Sequence, residues 1–184
     1  MSDEIIVKHC SPTLAGLKTG NMFLVSYEST EQVAKDIRSI NKRLGKKGLR
    51  MIPVHYNDGN RVLIYLYRPS YLKKDLEKEE ALKLLKEMGY DCTTPEEYLT
   101  QLIRNYDVTS QIPHEIGLFL SYPPEDVRGF IENKAANCKC LGTWKVYGDE
   151  EKAKKTFGLY EKCSTIYYNQ WRKGKSIERL TVAV

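Results

Sequence analysis

The chain contains no stretch approaching the roughly 20 consecutive apolar residues of a membrane span. Its first ten residues, MSDEIIVKHC, place acids early and offer no apolar leader segment, so secretion is not expected. No strand-like segment runs into a glycine-rich dinucleotide fingerprint or a P-loop, which removes the usual nucleotide-phosphate signatures. A zincin helix is excluded as well, because His114-Glu115 would need a second histidine where Leu118 stands. Internal repeats and low-complexity linkers are absent. The 5 cysteines are an odd count for a disulfide framework. Without a leader they read as reduced thiols, which points to the cytoplasm.

What is present describes an ordinary globular protein. At 184 residues, 41% hydrophobic and 29% charged, one domain over 1–184 is expected. A chain of this size buries roughly 70% of its unfolded surface, so no metal or disulfide staple is required. Net charge is +5, from 29 basic and 24 acidic residues. The basic residues gather in RLGKKGLR (43–50) and WRKGKSIER (171–179). Interspersed acids favour a solvated surface over a nucleic-acid footprint.

Punctuation along the chain sets the expected elements. Ser11-Pro12 reads as a helix start running to Lys18, and NMFLVSY (21–27) as a strand covered on both faces. Ser29 and Gln32 cap a helix with Val33, Ile37, Ile40 and Leu44 on one face. In LRMIPVHYNDGNRVLIYLYR (49–68), Asp58-Gly59 predicts a two-residue hairpin turn. Pro53 marks its strand as an edge or a bulge, and VLIYLY looks central. A charged helix is expected over 70–88, closed by Gly89. Thr94, Pro95 and Glu97 then open a helix over 93–106 that packs against it as a hairpin. Alternating Ile116, Leu118 and Leu120 predict a short strand, Pro124 a helix start, and LGTWKVYG (141–148) another strand. A long helix from Asp149 and a last strand in SIERLTVAV complete the order α-β-α-β-β-α-α-β-α-β-α-β. That order predicts an α+β (or α/β) single domain, with a mixed sheet containing a hairpin and helices packed on its faces.

Three segments carry a resemblance over almost the whole length: HCSPTLAGLKTGNMF (9–23), PHEIGLFLSYPPEDVRGFIEN (113–133) and WKVYGDEEKAKKTFGLYEKC (144–163). Together they resemble the bacterial family named domain of unknown function 3793. The resemblance implies no set activity. It implies an association with iron or redox functions in anaerobic bacteria.

Among side chains that carry chemistry, Cys10 stands out. Ahead of a Ser11 cap it would meet the positive end of a helix, which lowers a thiol's pKa. With His114 as base and Glu115 as orienting acid, a cysteine nucleophile can be drawn. The alternative is a small buried residue. His114-Glu115 likewise has two readings: a catalytic pair, or the polar rim of a buried strand, which the sequence favours. Cys138 and Cys140 are candidate metal ligands with nonstandard spacing, and His9, Cys10 and Cys163 could complete a site only by folding together with them. The stripe Phe157, Tyr160, Tyr167 and Trp171 reads as a helix core face before it reads as a stacking platform. No cofactor follows from these residues, and they do not decide whether anything is catalysed. The leading expectation is a small-molecule or redox-related site around Cys10 and His114-Glu115. The competing one is a non-catalytic module whose basic, tyrosine-rich surface holds a protein or a nucleic acid.

Overall fold

A computed structural model describes residues 1–109 and 111–183. The fold is α+β, with both sheets antiparallel throughout. No helix among these residues is long and apolar enough to cross a membrane. The chain gathers into two compact units, Met1–Ser70 with the chain from Tyr160 onward, and Tyr71–Leu159.

In the first unit, α1 spans Asp3–Leu14, β1 Gly20–Ser26 and α2 Thr30–Leu44, followed by a 3₁₀ turn over Gly45–Lys47. The hairpin strands are β2, Arg50–Asn57, and β3, Arg61–Tyr67. The order β1-β3-β2 makes β3 central and β2 an edge whose register shifts between Pro53 and His55, as Pro53 required. Positive φ falls on Gly59 and Asn60, one position later than Asp58-Gly59, so the connection is longer than the two residues expected. Helix α1 also departs from expectation. Its cap is Ser2, whose Oγ accepts from the Ile5 N–H at 3.4 Å, and Asp3 and Glu4 occupy the first turn. Ser11-Pro12 therefore lies inside the helix. The earlier serine, followed by two acids, is the stronger start signal. One sheet face, through Val62, Ile64 and Leu66, packs with Ile6, Val7 and Cys10 of α1 and the apolar side of α2.

In the second unit, the helix expected over 70–88 is broken. Element α3 runs Pro69–Leu76 and α4 Glu79–Glu87, with Lys78 extended between them. Helix α5, Pro95–Thr109, carries the expected capping box: Thr94 Oγ1 accepts from the Glu97 N–H while Glu97 Oε2 accepts from the Thr94 N–H. The strand expected at 116–120 is a helical turn, α6, Ile116–Phe119. Five residues of alternation fit one helical turn as well as a strand. Next come α7, Pro124–Glu132, and a small hairpin of β4, Cys140–Leu141, with β5, Lys145–Val146, in place of one strand over 141–148. Gly142 and Thr143 turn the chain there. Helix α8, Glu150–Arg172, begins in the second unit and ends in the first. The last strand expected in SIERLTVAV is instead α9, Ile177–Leu180, which buries Ile177 and Leu180 in the first unit's core.

Candidate functional site

The two halves of the anticipated cysteine site have different surroundings. Cys10 lies in α1, seven residues past its start, fully buried in the first unit's core. Burial pushes its thiol up, the opposite of the helix-start expectation. Near it, Lys18 is 3% exposed, with Nζ 5.9 Å from the Tyr160 ring centre. Desolvation brings that ammonium down to about 8. Arg68, fully buried, donates to the carbonyls of Thr13, Leu14, Lys47 and Val182, drawing the end of α1, the 3₁₀ turn and the chain's end onto one guanidinium. The sequence offers no marker for either buried cation.

His114 and Glu115 belong to the second unit and divide their roles. Glu115 is buried and accepts from the Tyr90 hydroxyl at 2.7 Å, and that hydroxyl in turn accepts from Asn105 Nδ2. Burial, then the Glu115 carboxylate, push the Tyr90 hydroxyl up, so the phenol keeps the proton it donates. Glu115 thus braces the start of α6. His114 is exposed, its ring edge-on to Phe130 with centroids 5.2 Å apart.

A second carboxylate organises this region. Asp126, in the first turn of α7, is buried and receives three N–H donors at 2.7 Å: the Trp144 indole on Oδ2, and the backbone of Tyr147 and Gly148 on Oδ1. The sequence marks Asp126 only as a favourable charge at a helix start. In the fold it clamps α7 to the chain leaving β5. Trp144 also stacks on Tyr122 at 4.9 Å and meets the Phe157 ring edge-on at 4.6 Å. Gly129 permits this closeness, because a Cβ there would lie 2.4 Å from Tyr147 Cβ. Much of what the segments at 113–133 and 144–163 hold is therefore packing.

Beside the clamp opens a cleft of about 440 Å³. Its walls are mostly apolar, from Ile116, Val127, Phe130 and Trp144, and its mouth carries Ile112 and Leu141 at 55% and 73% exposure. Its lining also includes the imidazole of His114 and the ammonium of Lys145. The Lys145 ammonium stands 5.9 Å from the Phe130 ring centre and donates to the Ala135 carbonyl at 2.6 Å. Ala135 belongs to a strained run in which Lys134, Ala135 and Asn137 all have positive φ. Asp126 touches the cleft, but its oxygens are engaged by the three donors.

Cys138 and Cys140 follow that run and are half-buried free thiols. Among the described residues no group of three His, Cys, Asp or Glu side chains is placed to hold a metal ion. The stripe on α8 divides along its length. Phe157 joins the Trp144 cluster, while Tyr167 and Trp171 pack on the first unit's core.

Residues 6–181 match the family model described as protein of unknown function (DUF3793), and the chain belongs to that family. No curated protein matches the chain, and no solved structure does.

Proposed function

We propose that this family member binds a small, flat, largely apolar molecule bearing one anionic group, in the cleft beside His114. The observation that carries this reading is the pairing of apolar walls with two basic side chains, His114 and Lys145, that both flank the Phe130 ring. Ligand pockets have this composition: apolar bodies with a few polar groups that fix orientation. An aromatic ring would lie among Phe130, Trp144 and Ile116, with its carboxylate or sulfonate toward Lys145. Small-molecule binding is retained from the sequence, while its centre moves from Cys10 to the cleft. Five free cysteines accord with the reducing cytoplasm as its compartment.

Trp144 is a built-in reporter. In a Trp171→Phe background, 2-naphthoate should quench the remaining tryptophan emission with saturation. Lys145→Met should weaken that binding about tenfold, or about 1.4 kcal/mol. The neutral naphthalene-2-methanol should lose little. No saturable quenching by either compound would reject the cleft as a ligand site. Equal losses for both would reject the anionic requirement.

A further inference from the structure

We propose that the outer face of α2, with the basic residues that follow α8, forms a docking surface for a nucleic-acid duplex, held through its phosphate backbone. Helix α2 turns Val33, Ile37, Ile40 and Leu44 into the core. Opposite them, at helical spacing, stand Lys35, Arg38, Lys42 and, in the adjoining 3₁₀ turn, Lys46, all exposed. Glu31 is the one acid on that face, and it sits in the first turn where the helix dipole favours it. From Lys35 onward the stripe is uniformly basic.

The neighbouring basic residues make the contrast clear. Arg43, one position round the helix, binds Asp3 and Glu178, and Lys47 donates to the Thr181 carbonyl at 2.9 Å. Those two cations hold the fold together. The four stripe residues make no ion pair among the described residues, so their charge is available to a partner. The same bonds hold Glu178 and Thr181 of the α9 segment against Arg43 and Lys47 at the end of α2, and the exposed Arg172, Lys173, Lys175 and Arg179 lie within a few residues of those contacts. The two basic runs of the sequence thus meet on one unit.

Spacing and chemistry select the partner. From Lys35 to Lys46 the stripe is about 16 Å long at 1.5 Å per residue. One strand of a duplex carries a phosphate about every 3.4 Å of axis, so about five phosphates run alongside. Helix α2 contains no aromatic residue on which an unpaired base could stack, which favours a duplex over a single strand. A membrane surface is disfavoured because the apolar side of α2 is in the core, leaving nothing to insert.

The test is fluorescence anisotropy with a labelled DNA duplex of about 20 base pairs, titrated between about 50 mM and 200 mM salt. Binding should weaken steeply with salt. Lys42→Gln/Lys46→Gln should reduce affinity at least about tenfold and lower the salt slope by about two contacts, at about 0.9 each. Lys83→Gln/Lys86→Gln, exposed on α4 of the second unit and equal in charge change, should leave both quantities intact. An unchanged thermal midpoint checks that the variants are folded. Absence of duplex binding at about 50 mM salt overturns the proposal. Equal loss from both variant pairs overturns it too, since that is net charge acting without a surface. So does capture by phosphatidylserine vesicles with none by the duplex.

Discussion

At the scale of single residues, burial decides what ionisable groups do, and it reverses the sequence's favourite. A cysteine next to Ser-Pro looked placed for activation. Seven residues of helix before it instead put Cys10 among Ile6, Val7 and Leu14. The hidden counterpart is Lys18, whose ammonium is held down to about 8 by desolvation, against 10.5 for an ordinary lysine. A depressed lysine means that the folded state binds the proton less tightly than the unfolded chain. The penalty is complete below pH 8 and fades as pH rises toward 10.5, a span worth about 3 kcal/mol. The buried thiols oppose this from their ordinary value of 9.0 upward, because unfolding lets them ionise. Stability should therefore climb between pH 8 and 9 and then level or fall. Urea midpoints across that interval measure the rise, and Lys18→Met should abolish it. A flat profile in the parent protein, or the same rise in the variant, would show that Lys18 carries no such penalty.

At the scale of elements, the sequence was most legible where local chemistry suffices. The capping box at Thr94 and Glu97, the edge strand bearing Pro53 and the amphipathic face of α2 were all readable, because each rests on contacts within a few residues. The short apolar segment at 116–120 was not, since period-2 and one-turn patterns coincide over so few positions. Asp126 was half legible. Its helix-start position could be read, but its three donors arrive from residues 18 to 22 positions away, and only folding brings them. This carboxylate should dominate the local stability of α7 and the β4–β5 hairpin. In Asp126→Asn, an amide N–H₂ must face either the Trp144 indole N–H or the two backbone N–H groups. At least one donor is then left buried and unsatisfied, at a cost of about 2–4 kcal/mol. Denaturant unfolding should show that loss, with Trp144 emission shifted to the red as the clamp opens. A variant as stable as the parent would mean that the clamp is dispensable.

At the scale of the whole molecule, the α+β class and the family were readable in the sequence, while the place of the candidate site was not. The cleft arises from α6, α7 and the small hairpin closing around Trp144, and its basic residue Lys145 carries no motif. Cysteine usage offers a test across the entire chain. Cys92, Cys138 and Cys140 are half-buried, whereas Cys10 and Cys163 are buried, with the Cys163 thiol pushed up to about 11. A thiolate-specific reagent such as Ellman's compound should therefore react readily with three thiols in the native protein. Cys92 should lag the other two, because desolvation and the nearby carboxylates of Glu97 and Asp91 raise it. The remaining two should react on unfolding, at rates that follow denaturant concentration. Substituting Cys10→Ala should leave the native phase unchanged and remove one equivalent from the slow phase. If it instead removed a fast native phase, Cys10 would be an accessible thiolate. The buried position in α1 would then not be its reactive state, and a nucleophile in the first unit would displace the cleft as the centre of function.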